Sequence, residues 1–103
     1  MVRIYEHPDP QDITLERVLF ALSDPVRLSI VRVLAARGAV NSLELAPDMP
    51  KSTVAHHTRI LREAGVTHTK PDGRVCWIHL RRALLDEQFP GLLDAILTAR
   101  KSV

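Results

Sequence analysis

Apolar residues recur at helical spacing in the first half of the chain, in two separate stripes. The first stripe consists of Ile13, Leu15, Val18, Leu19 and Leu22, and the second of Val26, Leu28, Ile30, Val31 and Leu34. Because residues three or four apart share one face of a helix, each stripe predicts an amphipathic helix. Asp24 and Pro25 between the stripes are typical of a helix start, and Gly38 is typical of a helix end.

The middle of the chain predicts a short helix, a tight turn and a longer helix. Ser42 is expected to cap a helix over 43–46, which Pro47 and Pro50 prevent from continuing. Ser52 is expected to cap a longer helix over 53–64, and Gly65 to end it. A turn therefore separates two helices that lie close together in the sequence.

A strand pattern follows the longer helix. Residues 66–70 and 74–80 are rich in Val, Thr, Trp and Ile and flank the turn sequence Pro71-Asp72-Gly73, so they predict a β-hairpin. Residues 82–88 are weakly helical, and a terminal helix is expected after Gly91. This order of elements describes a winged helix-turn-helix, a mainly helical α+β fold whose wing is a two-stranded β-hairpin.

Residues 1–12 differ from the rest of the chain. The prolines of His7-Pro8-Asp9-Pro10 disfavour helix at the residues before them, so we expect an extended N-terminal arm, either mobile or exchanged with a partner. Residues 13–103 are expected to form a single domain, because 103 residues with 46% hydrophobic content supply one core and not two.

Composition excludes several classes of protein. No apolar run approaches the roughly 18 residues of a membrane span, and the N-terminus lacks the apolar segment of a signal peptide, so a cytoplasmic protein is expected. The single cysteine, Cys76, excludes disulfide scaffolds and multi-thiolate zinc sites. Gly-rich phosphate loops and catalytic serine or zinc motifs are missing, so the sequence predicts neither an enzyme nor a cofactor.

The positive charge is concentrated in one block of the sequence. Residues 51–82 contain seven basic and two acidic side chains, a net charge of +5, whereas the whole chain carries only +2. Four of the five histidines also lie in this block. A basic block between acidic flanks is what a nucleic-acid surface requires, although a solvated basic face with no partner remains the alternative.

The helix predicted over 53–64 has two distinct faces. At about 100° per residue, Val54, His57, Thr58 and Leu61 fall on one side and are expected to pack. The opposite side carries short side chains near its start and cationic ones near its end, namely Ser52, Ala55, His56, Arg59, Arg62 and Glu63. Lys51 and Thr53 lie at the positive N-terminal end, which attracts phosphate. We therefore expect this face to read DNA in the major groove.

The hairpin tip adds two further positive charges. Lys70 and Arg74 flank Asp72 and Gly73 in an exposed turn, and a wing tip of this kind contacts the DNA backbone or the minor groove. A solvated turn without a partner is the alternative.

Two segments carry a resemblance to a known family. The segment from Asp24 to Leu34 resembles the opening signature of the ArsR/SmtB family of winged-helix repressors, and the segment from Lys51 to Val66 resembles its recognition helix. With Asp72-Gly73-Arg74 in the wing, the resemblance covers roughly residues 13–100. It implies a homodimer built from the first and last helices, which binds operator DNA as a repressor until a signal releases it.

The resemblance also assigns roles to individual residues. Base edges would be read mainly from Lys51, Ser52, Ala55 and His56, the face already identified. Ala55 departs from the commoner serine and so loses a hydrogen bond. Thr58 replaces the usual large apolar residue, which implies looser or polar packing beneath the helix.

Dimerisation is independently expected from a wide apolar surface at the chain's end. The residues expected at the interface are Leu15 and Leu19 of the first helix and Phe89, Leu92, Leu93, Ile96 and Leu97 near the C-terminus. A small domain would struggle to cover them alone, although closing its own core is the alternative. A two-fold dimer implies a pseudo-palindromic operator with half-sites roughly 10 base pairs apart.

The family includes metal sensors, but neither of its familiar metal sites is present. The segment from Asn41 to Ala46, where such sensors carry paired cysteines, has no thiol, and the terminal helix has no histidine. Adjacent His56 and His57 point about 100° apart and are poor joint ligands. We predict that His56 contacts DNA and that His57 packs in a half-buried position.

Three possibilities therefore remain open for how repression is controlled: a small organic effector, oxidation of Cys76, or constitutive repression without a signal. Cys76 is expected on the same strand face as Ile78 and Leu80, where a buried packing role competes with a redox switch. Arg27, near a capped helix start, is expected to be a structural ion-pair partner.

The sequence thus predicts a homodimeric, sequence-specific DNA-binding repressor. The alternative from another class is a winged-helix interaction module whose basic face docks an acidic protein. Its face should show exposed aromatic or Met side chains, whereas Ala, Ser, His and Arg dominate here.

Overall fold

The computed structural model describes residues 4–99 of the chain. Within this range the α-helices and strands are α1 (Leu15–Ala21), α2 (Pro25–Arg37), β1 (Val40–Asn41), α3 (Lys51–Glu63), β2 (Thr67–Asp72), β3 (Val75–Leu80), α4 (Arg82–Gln88) and α5 (Leu92–Thr98). A 3-10 helix covers Pro10–Asp12, so the arm predicted to be extended over 1–12 ends in a helical turn. The first three residues of the predicted arm and the last four of the predicted domain lie outside the described residues. The predicted order of helices and hairpin is confirmed.

The corner between α1 and α2 is built by Asp24, as predicted. Its carboxylate accepts hydrogen bonds from the backbone N–H groups of Val26, at 2.9 Å, and Arg27, at 3.0 Å. These bonds satisfy donors that have no partner within a helix, and Pro25 occupies the first helical position. The hydrogen bond from Arg27 is also the main reason why the pKa of Asp24 is lowered.

Arg27 fixes the same corner from inside. It is only 6% exposed, and its Nε donates to the carbonyl of Ala21 at 2.7 Å while Nη2 donates to that of Phe20 at 3.3 Å. The guanidinium thus satisfies carbonyl groups at the C-terminal end of α1. Its role is structural, as expected, but the expected ion pair is not found among the described residues, because the guanidinium donates to carbonyl oxygens instead.

Two predicted helix starts are wrong. The short segment after β1 is a three-residue 3-10 helix over Ser42–Glu44, and its cap is Asn41, whose side chain accepts from the N–H of Leu43 at 2.9 Å. The longer helix, α3, begins at Lys51 rather than Thr53, with Pro50 at its N-cap and no side-chain cap. Ser52 therefore lies inside the first turn, and its hydroxyl is not used as a cap.

The sheet has three strands instead of the predicted two. β2 and β3 form the antiparallel hairpin, with Thr69 opposite Ile78 and a turn at Gly73, which has φ +61°. β1 adds to the other edge of β3 through the pairs Val40 with Ile78 and Asn41 with Trp77. A two-residue strand has no periodicity to detect in a sequence, and this one forms only because the fold brings it beside β3.

The core lies between the helices and the inner face of this sheet. Its most deeply buried members are Val18, Ala21, Val31, Val40, Leu61, Val66 and Thr67. Leu85 of α4 and Leu93 of α5 extend the core from the C-terminal side. No helix in residues 4–99 is long and apolar enough to cross a membrane.

Replacing Arg27 with Met should test the corner. The substitution keeps an apolar stem but leaves the carbonyls of Phe20 and Ala21 without their buried donor, so the free energy of unfolding should fall by about 2 kcal/mol. Urea denaturation followed by circular dichroism measures it. The control is Arg37→Met at the end of the same helix, where an exposed ion pair with Glu44 at 3.6 Å should contribute less than about 1 kcal/mol. Equal losses in both variants would contradict this role for Arg27.

Candidate nucleic-acid interface

The structure confirms the predicted division of α3 into two faces. Val54, Thr58 and Leu61 are buried against the domain. Ser52, Ala55, His56 and Arg59 are exposed on the opposite side, together with Lys51 at the first turn. Thr53 is half-buried. The exposed side chains near the start of α3 are short, so another molecule's surface can approach the helix closely there.

Polar contacts hold the inner face of α3 in place. His57 is half-buried, as predicted, with Nδ1 3.4 Å from Nη1 of Arg27 and 3.8 Å from a carboxylate oxygen of Asp24. It therefore ties α3 to the α1–α2 corner. The hydroxyl of buried Thr58 donates to the carbonyl of Ala55 at 3.2 Å, so this unusual polar residue is satisfied within its own helix.

Arg59 has a partner that sequence analysis did not assign. Its Nε donates to Glu63 one turn later at 2.7 Å, and both side chains are exposed. The hydrogen bond and the opposite charge raise the pKa of Arg59 and lower that of Glu63. Glu63 therefore holds the Arg59 side chain along the helix surface. The i, i+4 spacing of the two residues was the signal that could have shown this pair.

Arg62 is less accessible than the other predicted cations. It is half-buried, its Cζ lies 5.0 Å from the centre of the Tyr5 ring, and its Nε is buried without a hydrogen-bond partner among the described residues. Arg62 thus lines the space between α3 and the sheet, which Ala55 and Arg59 also line, whereas His56 does not.

The wing tip is exposed. Its two positive side chains, Lys70 and Arg74, are separated in the sequence by Asp72, whose carboxylate is held by a hydrogen bond. Lys70, Asp72 and Arg74 are exposed around the turn at Gly73. The indole Nε1 of Trp77 donates to Asp72 at 3.3 Å. Lys70 and Arg74 make no ion pair among the described residues, so both are available to an anionic partner.

The N-terminal arm packs against the inner face of the wing at Cys76. Cys76 and Ile78 are buried there, while Trp77 and His79 are exposed on the other face, which confirms the predicted alternation. The Tyr5 hydroxyl lies 2.8 Å from the Cys76 sulfur. The arm therefore packs on its own domain, and the thiol is covered.

Three histidines anchor the arm to the outside of the sheet. His7 stacks on His68 with ring centres 4.0 Å apart, and His68 stacks on His79 at 5.1 Å. Nε2 of His7 accepts the backbone N–H of Thr69 at 2.9 Å. Burial first, then the neighbouring positive groups of His68, Arg81 and Arg62, lower the pKa of His7 from 6.5 to about 4. His7 is consequently neutral at pH 7, as its acceptor role requires.

Further bonds continue the anchoring along the arm. Nη1 of Arg81 donates to the carbonyl of Pro8 at 3.1 Å, and the side-chain amide of Gln88 donates to that of Pro10 at 2.8 Å. These contacts have no local signal in the sequence, since each joins residues more than 70 positions apart.

The residues predicted at a dimer interface fall into three groups. Leu15 and Leu19 are exposed on α1, beside Phe20, which is 62% exposed and was not predicted. Phe89, Leu92, Ile96 and Leu97 are half-buried against the core. Leu93 is only 2% exposed and belongs to the core itself, so it offers no surface to a partner. Phe20 lies outside the apolar stripe of α1, which is why its position in the sequence did not reveal it.

No group of three or more potential metal ligands in the described part of the chain is arranged to hold an ion. The three stacked histidines are held face to face by ring stacking, and His7 Nε2 is already occupied by a backbone donor. Stacked rings of this kind do not direct their nitrogens toward a common centre.

The sequence is similar to that of known helix-turn-helix proteins. A helix-turn-helix domain family matches residues 22–69. YceK, an uncharacterized HTH-type transcriptional regulator of Bacillus subtilis strain 168, is 32% identical over 83 residues, which cover 78% of this chain and 83% of YceK.

Two solved structures share the fold over most of the chain. An ArsR family transcriptional regulator matches with a TM-score of 0.65 and 24% identity, and the match covers 93% of this chain and 100% of that one. The transcriptional repressor BigR from Xylella fastidiosa matches with a TM-score of 0.67 and 25% identity, over 86% of this chain and 88% of BigR.

The histidine anchor predicts a specific dependence of stability on pH. Because the pKa of His7 is lower in the folded protein than its ordinary value of 6.5, the unfolded chain binds the extra proton as the pH falls from about 6.5 to about 4. Stability should therefore decrease over this interval. In His7→Gln, whose amide oxygen still accepts the N–H of Thr69 but does not titrate, the decrease should be smaller.

Urea denaturation at several pH values between 7 and 4 measures this difference. Subtracting the two curves removes the contribution of the titrating groups that do not contact His7. Parallel curves for the two proteins would show that His7 is not held neutral by the fold.

Proposed function

Since this chain belongs to the ArsR family of winged-helix transcriptional regulators, which are not enzymes, we propose that it is a homodimeric repressor of a pseudo-palindromic operator. Its release from DNA would depend on a signal other than a metal ion. The observation that carries this proposal is the exposed face of α3. Its short side chains, Ser52 and Ala55, lie near the helix start, with Lys51 before them and Arg59 after them in the sequence.

The candidate DNA-binding residues fall into two groups, those placed to read base edges and those placed to contact phosphates. Lys51, Ser52, Thr53, Ala55 and His56 lie on the first two turns of α3, the part of a recognition helix that approaches base edges. We assign base reading to Lys51, Ser52, Ala55 and His56. His56 offers both a ring donor and a ring acceptor, while Ala55 offers only a methyl group, which suits contact with a thymine methyl.

Phosphate contacts are assigned to cations farther from the base edges. Lys70 and Arg74 lie on the wing tip, and Arg59 lies farther along α3. Arg59 must exchange its bond to Glu63 for a phosphate, so we expect its contribution to be smaller than that of Arg74. Arg62, half-buried beneath the helix, contributes mainly to the positive potential of this surface.

A second copy of the chain would cover the apolar surface of α1. Leu15, Leu19 and Phe20 expose large apolar side chains on one short helix, and such a cluster is typical of an interface. The half-buried apolar residues of α5 would extend it, in line with assembly through the first and last helices. A two-fold axis would then present two α3 helices to successive major grooves.

The proposal is tested by selecting bound duplexes from random DNA and titrating the selected site against salt. We expect a palindromic motif with half-sites roughly 10 base pairs apart and affinity that falls steeply with salt. Weak binding without sequence preference would contradict the repressor and favour docking of an acidic protein to the basic face.

Two substitutions separate base reading from phosphate anchoring on the selected duplex. His56→Ala should cost about 1–3 kcal/mol at the preferred site and relax the preference at one position of each half-site. Arg74→Ala should weaken binding to all sequences and reduce the magnitude of the salt slope by about one per protomer. Fluorescence anisotropy with the preferred and a scrambled duplex measures both. If both variants lost affinity uniformly, the assignment of His56 to base reading would be wrong.

The dimer is tested by placing a charge in the exposed apolar cluster of α1. Leu19→Glu should give a monomer by analytical ultracentrifugation at micromolar concentration and should weaken operator binding, because a carboxylate would be buried without a partner at the two-fold interface. Leu43→Glu is the matched control for the oligomeric state, since Leu43 is another exposed leucine but lies outside this cluster. A Leu19→Glu protein that remained dimeric would exclude α1 from the interface.

A further inference from the structure

A deep cleft lies between α3 and the inner face of the wing. Its volume is about 700 Å³, within the roughly 300–1,000 Å³ range typical of small-molecule sites. α3 forms one wall and the sheet the other, and the segment after β1 closes one end. Tyr5, at the tip of the anchored arm, also lines the cleft.

The charges around the cleft all have one sign. Four cations line it, Lys51, Arg59, Arg62 and Arg74, and no described acidic side chain does. Arg59 is already paired with Glu63, but Arg62 has no ion-pair partner among the described residues. A cavity of this charge selects anions.

Two residues that line the cleft, Thr69 and Arg62, each carry a buried polar atom without a partner. The hydroxyl of Thr69 and the Nε of Arg62 are buried, and neither forms a hydrogen bond within the described part of the chain. Thr69 is only 4% exposed. Unsatisfied buried donors cost free energy, so a ligand that accepts a hydrogen bond from them is favoured.

Most of the remaining lining is apolar, although the polar residues Ser42 and Thr58 also line the cleft. Leu43, Pro47 and Met49 lie along the segment between β1 and α3, and Val54 and Ile78 face the cleft from the helix and the sheet. An inorganic anion would leave this surface uncovered. A ligand that fits both parts has a compact apolar body and one anionic group.

We propose that the cleft binds a small organic carboxylate as the effector of this regulator, with the carboxylate at Arg62 and Thr69 and the apolar body against Met49 and Val54. This assignment rests on the proposed function only for the effect on DNA; binding to the free protein does not depend on it. Lys51, Arg59 and Arg74 line the cleft and are also assigned to DNA, so a bound carboxylate neutralises the surface that DNA needs. Carboxylate and DNA therefore weaken each other's binding.

The first experiment uses the free full-length protein and isothermal titration calorimetry. The probes are benzoate, phenylacetate and hexanoate, with benzamide as the neutral isostere of benzoate. We expect at least one carboxylate to bind, and benzamide to bind at least about tenfold more weakly than benzoate. Failure of all three carboxylates, or equal binding of benzoate and benzamide, would overturn the proposal.

Paired threonine variants locate the site. Thr69→Val removes the hydroxyl with little change in volume and should weaken carboxylate binding about tenfold. Thr67→Val is the matched control, because Thr67 also has a buried hydroxyl without a partner on the same strand but does not line the cleft. Equal affinity of wild type and Thr69→Val would place the ligand elsewhere.

Measuring DNA binding in the presence of the carboxylate distinguishes an effector site from a groove that binds the DNA backbone. The tightest-binding carboxylate should raise the apparent Kd of the selected duplex about five- to tenfold for wild type and much less for Thr69→Val, whose DNA affinity without ligand should be unchanged. If inorganic phosphate bound as tightly as any carboxylate and Thr69→Val weakened DNA binding, the cleft would be part of the DNA site. If no duplex were selected while the carboxylate still required Thr69, the repressor function would fail and the binding site would stand.

Discussion

Burial of one stripe of α3 is the constraint on which the rest of the structure depends. Val54, Thr58 and Leu61 lie against the domain, and Leu61 is completely buried. Since about 3.6 residues make one helical turn, fixing this stripe determines which side chains face outward. Ser52, Ala55, His56 and Arg59 are exposed for that reason, so the face that we propose to read DNA is a direct consequence of how the core is packed.

The α1–α2 corner and the wing hold α3 from two sides. Asp24 and Arg27 shape the corner, and His57 connects it to α3. On the other side the sheet stands away from α3 near the wing tip, which leaves the cleft that contains Arg62 and Thr69. α3 thus carries the residues that we propose to read bases, one proposed phosphate contact, Arg59, and one wall of the cleft, so under these proposals a ligand in the cleft acts directly on the DNA surface.

Local signals in the sequence predicted most of this fold. The cap at Asp24 and the helical stripes depend on neighbouring residues and were correctly predicted. The hairpin turn was predicted two residues too early, because Pro71 and Asp72 belong to β2 and the chain turns at Gly73. Features that depend on distant contacts were missed: β1 exists only beside β3, and the arm is held by stacked histidines and by bonds across more than 60 positions. The candidate DNA residues followed from helix periodicity, whereas the Arg59–Glu63 pair, the burial of Leu93 and the cleft became visible only in three dimensions.

Chemical footprinting of the bound duplex tests the central claim most directly, because it reports which groove each part of the protein occupies. Two exposed α3 faces related by a two-fold axis predict two protected major-groove segments roughly 10 base pairs apart, on one side of the duplex, with weaker protection where the wings reach the flanking backbone. A single protected segment would contradict the two-fold arrangement. Protection confined to the sugar-phosphate backbone, with every base edge in the major groove still reactive, would contradict the assignment of α3 as the reading helix.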